Sequence, residues 1–169
     1  MKTMLIVGVY KNPVARRLWE DGFVAELSEN GTTATPSYQL FPNAVPDTAH
    51  IAEAMRARGY DGVLITRRLP TQVITNYVPG YVTTVPVTRY NWWTDAYHTY
   101  YQEVYQPGYT ETERLAHHEI NVWTTKNSHL IWAGTGEMLD TTSREDVIHE
   151  ITQMIVPELA RQGIIPAKK

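Results

Sequence analysis

His117, His118 and Glu119 stand consecutively in a strand-like stretch. Imidazoles beside a carboxylate are the side chains that bind divalent metals or relay protons. Successive side chains of a strand point to opposite faces, so His117 and Glu119 share one face and His118 takes the other. His117 and Glu119 are therefore metal-site candidates. A catalytic zinc usually needs three protein ligands, and the sequence offers no evident third. The expectation is a half-exposed strand face whose polar groups meet water, with no cofactor. His50, His98 and His149 fall in separate elements and add no ligand.

Other chemistries find less support. There is no cysteine, which removes thiol catalysis, thiolate metal sites and disulfides. No G-x-S-x-G elbow exposes a serine; Ser28, Ser37, Ser128 and Ser143 sit near a helix end, in a strand, in a turn and at an N-cap. The loop Gly8-Val-Tyr-Lys-Asn-Pro13 leads from a strand into a helix but lacks the glycines and the Gly-Lys-Ser/Thr ending of phosphate loops. Lys11 there reads as a solvated loop lysine, although a cation beside a helix N-terminus attracts anions. The pairs Glu20-Asp21 and Glu145-Asp146 lie in the first halves of helices, where negative charge complements the dipole. Asn30-Gly31-Thr32 matches a glycosylation sequon and reads more simply as a cap and turn. No catalytic residue is assigned, and the chain reads as a non-enzyme.

The strongest local anomaly is aromatic. Tyr90, Trp92, Trp93, Tyr97, Tyr100, Tyr101, Tyr105 and Tyr109 crowd into twenty positions. Tyrosine and tryptophan combine apolar area with a polar tip, which suits protein interfaces and sugar stacking. They also suit an insertion that packs over its own sheet. These eight are the interaction candidates.

The elements that must position them follow from periodicity. Met4 to Tyr10 is an apolar run of buried-strand type. Asn12-Pro13 caps a helix carrying Leu18, Trp19, Phe23, Val24 and Leu27, and Gly31 closes it. Thr33 to Phe41 reads as a second strand. Asp47 caps a second helix that ends at Gly59, and Asp61 to Thr66 is a third strand. This β-α-β-α-β order implies parallel strands. Residues 69 to 109 lack helical periodicity. Thr110 to Trp123 and His129 to Leu139 form an antiparallel hairpin. Ser143 opens a terminal helix, which Pro157 should kink or divide. The fold class is α/β: a mixed sheet of about five or six strands, an N-terminal parallel β-α-β-α-β, a C-terminal antiparallel hairpin and a terminal helix. One domain, 1–169, is expected, with an aromatic-rich insertion at about 76–109.

Composition bounds the partners. At 169 residues the chain can bury a core without disulfides or metal. Its net charge of -3 and lack of a basic stripe argue against nucleic acid. Arg16-Arg17, Arg67-Arg68 and Lys168-Lys169 read as solvated surface. No segment is long and apolar enough for a signal h-region or a membrane span, so the chain carries no targeting signal of its own.

Several segments resemble a family of uncharacterised exported bacterial lipoproteins. They are Glu119-Ile-Asn-Val-Trp123, Leu130-Ile-Trp-Ala-Gly-Thr135 and Gly163-Ile-Ile165, with Arg16-Arg17, Glu20-Asp21-Gly22-Phe23-Val24, Pro36-Ser37-Tyr38, Asp61-Gly62-Val63-Leu64 and Tyr105-Gln-Pro-Gly-Tyr109 in the rest of the chain. The turn Thr125-Lys126-Asn127-Ser128 departs from the family's Gly-Lys, and His117-His118 replaces an apolar pair. The resemblance implies a mature domain whose signal peptide and lipobox cysteine are absent from this sequence. It implies a periplasmic or outer-membrane-anchored location, with membrane attachment only through that missing lipid anchor. It also implies a fold similar to the TolB N-terminal domain, and no catalytic residues. The expected function is a non-enzymatic envelope domain acting through protein–protein contacts. The alternatives are a glycan- or peptidoglycan-binding module and a metal-dependent protein using His117 and Glu119. An envelope protein, a cell-wall glycan or a second copy of the chain are the partners expected.

Overall fold

A computed structural model describes residues 1–140 and 142–167, so Lys168-Lys169 lies outside the described residues. Eight strands and three helices follow in order: β1 (Thr3–Val9), α1 (Pro13–Glu29), β2 (Thr33–Pro36), α2 (Thr48–Arg58), β3 (Gly62–Arg68), β4 (Gln72–Val78), β5 (Tyr81–Asn91), β6 (Ala96–Gln106), β7 (Tyr109–Thr124), β8 (Leu130–Leu139) and α3 (Arg144–Arg161). Two compact units result, one of Met1–Gln72 with Arg114–Lys169, the other Val73–Glu113.

The mixed α/β sheet expected from the sequence is present. β1 lies parallel between β2 and β3, β7 runs antiparallel to β3, and β8 pairs antiparallel with the other edge of β7. β4 also pairs with β7, which completes a six-stranded sheet. Alternation along β1 explains why this sheet is covered on both faces. Met4 and Ile6 join Trp19, Phe23 and Leu27 of α1 and Ile148, Ile151 and Ile155 of α3 in one core. Leu5 and Val7 join Met55 of α2, Tyr60 and Val63 in another. Helices thus lie on both sides of the strands.

The caps act as their residue types dictate. The Asn12 side chain accepts from the Val14 and Ala15 amides, Asp47 from the His50 amide and Ser143 from the Asp146 amide. Gly59 takes the left-handed conformation that ends α2. Two expectations change. The second strand stops at Pro36 and gives way to a 3-10 turn at Ser37–Gln39, because the Ser37 hydroxyl is drawn inward to Glu20 and Arg16. Of the two outcomes expected at Pro157, division does not occur: α3 continues through it, with Ile155, Val156 and Leu159 buried on both sides of the proline.

Glu20 and Arg16 are the larger surprise. Both are withdrawn from the surface: Arg16 is 5% exposed and Glu20 fully buried. The Glu20 carboxylate accepts from the Gly8 amide, the Arg16 Nε, the Ser37 hydroxyl and the Tyr38 amide. The Arg16 guanidinium donates in addition to the carbonyls of Phe41 and Ala44. One buried ion pair therefore ties α1 to β1, the 3-10 turn and the following loop. Dipole complementarity is not its role, and Arg16 is not solvated surface.

Close helix packing has a further signature at Gly22. A Cβ built there would lie 2.4 Å from Cγ2 of Ile148, so α1 and α3 approach where only glycine fits. Gly22→Ala gains about 1 kcal/mol of helix propensity and meets an overpacking cost of about 1–3 kcal/mol. The clash is with a stiff β-branched side chain, so the cost prevails. Urea unfolding should show a net loss of about 1 kcal/mol; a gain in stability would mean the helices separate freely.

Candidate functional site

The aromatic residues are placed by a long antiparallel ribbon in the Val73–Glu113 unit. The Thr/Val-rich β5 and the Tyr-rich β6 suit a pleated surface, and they pair over their full length from Tyr81↔Gln106 to Asn91↔Ala96. The Pro-Gly pairs at 79–80 and 107–108 face each other at the ribbon's base. A Cβ on Gly80 would lie 2.8 Å from the Gly108 nitrogen, so the crossing needs glycine. At the other end the chain turns through Trp92 to Asp95. The Asn91 side chain accepts from the Trp93 amide at 3.0 Å, and Asp95 takes a positive φ and receives the Tyr90 hydroxyl.

Register sorts the eight aromatics. Tyr90 faces Tyr97, Pro86 faces Tyr101 and Val82 faces Tyr105, so all six side chains line one face of the ribbon. That face is open: Tyr97 is 75%, Tyr101 73% and Tyr105 66% exposed. The opposite face holds the half-buried Thr83, Val87, Ala96 and Val104. Tyr100 is on that second face, with the Arg89 guanidinium 5.7 Å from its ring centroid. Trp92 and Trp93 stack at the turn with centroids 4.2 Å apart, and both are exposed. Tyr109 starts β7, beyond the ribbon.

His117 and Glu119 occupy one face of β7, as strand alternation requires, but each is already engaged. His117 faces Glu137 across the hairpin, with Nδ1 3.3 Å from its carboxylate. Glu119 pairs with Arg67 of β3, whose guanidinium, together with Asn121, holds the Glu119 carboxyl below its ordinary pKa. Among the described residues no three His, Asp or Glu side chains gather around one point.

His118 points the other way, into the α1 side of the sheet, and is 5% exposed. Its ring stacks on Trp19 at 4.4 Å, and its Nδ1 lies 3.4 Å from the Tyr10 hydroxyl, which in turn is 3.2 Å from that of Thr66. Burial, with the charges of Arg68 and His117 added, lowers its pKa to about 4. An exposed histidine protonates near 6.5. Between these values the unfolded chain binds a proton that the folded chain refuses. Stability is therefore full above pH 6.5 and falls as pH drops toward 4, by up to about 3 kcal/mol. Urea midpoints across that window should show the fall, and His118→Phe should flatten it. An unchanged slope in the variant would assign the loss elsewhere.

Sequence reasoning missed His118 because it weighed the face shared by His117 and Glu119. The signal was available: Ala116, His118, Ile120 and Val122 alternate as the apolar side of the same strand. His118 also borders a cleft of about 870 Å³ at the carboxyl ends of β1 and β3.

No protein-family model matches the chain, and no curated protein matches it by sequence. Solved structures are similar to it. A dodecamer of PelC from Paraburkholderia phytofirmans is similar over 92% of this chain and 86% of its own, with 13% identity and a TM-score of 0.52. Lipoprotein GNA1162 from Neisseria meningitidis is similar over 95% of this chain and 99% of its own, at 14% identity and TM-score 0.47. A minor lipoprotein from Acinetobacter baumannii covers 98% and 97%, at 12% identity and TM-score 0.39. The structural neighbours thus include lipoproteins, and the PelC likeness speaks for the fold.

Proposed function

We propose that this protein is a non-enzymatic domain of the cell envelope, periplasmic or attached to the outer membrane, of the exported-lipoprotein type with a TolB N-terminal-like fold. It works by protein–protein contact. Its contact surface is the tyrosine-lined face of the β5–β6 ribbon, and its first partner is another copy of the chain.

The observation that carries this reading is the open face of Tyr90, Tyr97, Tyr101 and Tyr105 with Val82 and Pro86. A two-stranded ribbon in water is marginal by itself, and this one leaves its tyrosine-lined face uncovered. Large exposed apolar patches on soluble domains mark interaction sites. Glu103 is the only charged side chain among the five cross-strand pairs of that face, so little charge needs desolvation on contact. Self-association is also compatible with the fold, since PelC, which shares it, is a dodecamer. Size-exclusion chromatography with light scattering on the purified chain tests the reading. A mass above one chain that falls on dilution supports it, and a monomer at every concentration counts against it.

A second reading, glycan binding, is favoured by the stacked Trp92 and Trp93 with Asn91 and Asp95 beside them. Sugar rings stack on exposed indoles, and neighbouring amides and carboxylates bind their hydroxyls. Purified cell wall that retains no protein in a pull-down would remove it.

A further inference from the structure

The cleft beside His118 has no part in the ribbon reading. Its wall comes from the ends of β1 and β3, the starts of α1 and α3, the middle of β7 and the end of β8. The parallel strand order is β2-β1-β3, and the chain leaves β1 toward β2 but leaves β3 in the opposite direction. A crevice opens at such a reversal outside the carboxyl ends of the strands, and open α/β sheets place ligands there.

The lining is chemically lopsided. Val9, Leu69, Pro70 and Leu139 supply accessible apolar surface, above a buried floor of Trp19, Ala116 and Val147. Three cations, Lys11, Arg68 and Arg144, face one carboxylate, Asp140, and that carboxylate is taken by Arg68. Lys11 and Arg144 make no ion pair among the described residues. The helix ends contribute little. The Asn12 side chain already accepts from the first amides of α1, and Glu145 and Asp146 complement α3. What marks the cleft is His118, a nine-tenths buried side chain on its wall. One imidazole nitrogen meets Tyr10, and the other has no hydrogen-bond partner among the described residues. Every fully enclosed polar side-chain atom among the described residues is hydrogen-bonded, so that nitrogen opens on the cleft. In the tautomer whose Nδ1 accepts from the Tyr10 hydroxyl, Nε2 carries the ring proton.

We propose that the cleft binds a small organic carboxylate with an apolar body. Its head is held by Lys11, Arg144 and the Nε2 proton of His118, and its body lies along Val9, Leu69 and Leu139, over the edge of Trp19. Charge-assisted hydrogen bonds fix the head, and the apolar floor rewards a tail that inorganic anions lack.

Sodium octanoate titrated into the full chain tests this by NMR. The expected result is a saturable shift of the Trp19 indole and His118 imidazole resonances. Octylammonium, 1-octanol and inorganic phosphate should each bind at least roughly tenfold more weakly, and Lys11→Gln with Arg144→Gln should weaken octanoate by roughly tenfold or more. Equal binding of octanol or octylammonium would show that the cleft does not read charge. Equal binding of phosphate would show that it does not read the apolar body. Octanoate shifts confined to the β5–β6 tyrosines, or no saturation, would overturn the site itself.

Discussion

Glu20→Gln is expected to lower the free energy of unfolding by about 3–5 kcal/mol, the usual cost of breaking a buried ion pair from one side. The amide leaves the Arg16 guanidinium buried without a counter-charge. It also sets an NH2 group against either the Tyr38 amide or the donors that now meet Oε1. A domain of ordinary stability has about 5–15 kcal/mol in total, so the variant sits near the edge of folding. The neighbouring exposed carboxylate is the control. Asp21 is exposed and accepts a hydrogen bond from the Tyr38 hydroxyl at 2.7 Å, and Asp21→Asn should stay within about 0.5 kcal/mol of the parent. Urea denaturation of both variants checks the contrast. Similar small losses would place Glu20 in water, as a residue that merely complements the helix dipole.

The second large effect belongs to the ribbon. Tyr97→Ser with Tyr101→Ser is expected to weaken self-association by roughly a hundredfold or more, since buried aromatic anchors are each worth about 2 kcal/mol or more at an interface. Both side chains are largely exposed in the single chain, so at a concentration where the parent is monomeric their loss should leave the unfolding midpoint nearly unchanged. Sedimentation equilibrium and urea unfolding on the same preparation separate the two effects. Full association with both serines in place would move the contact off this face.

Much of the fold was legible because local signals agreed with each other. Asn12-Pro13, Asp47 and Ser143 announce helix starts by cap chemistry alone, and all three cap helices in the structure. The apolar run at Met4 and the Gly62–Thr66 segment have the composition of strands buried on both faces, and that is where they lie. What stayed hidden depends on contacts between distant residues. Arg16 and Glu20 look like surface charges on a helix until Ser37, Tyr38, Phe41 and Ala44 are folded against them. Pro157 looks like a helix breaker until the buried residues around it are seen to hold the turn. The site divides the same way. The aromatic run was visible in the sequence, but only the register of β5 on β6 shows which rings share a face. His118 was visible too, yet its importance comes from Trp19, Tyr10 and a cleft assembled from six elements.

The central claim is that copies of this chain meet through the tyrosine face of the ribbon. Amide hydrogen exchange at low and at high protein concentration tests it most directly. The account predicts that exchange slows with concentration across β5 and β6, at Val82–Tyr90 and Tyr97–Tyr105, while β1 and β3 keep the protection they have when dilute. Concentration-independent exchange in the ribbon, or slowing confined to Met1–Gln72 and the segment after Arg114, would contradict it.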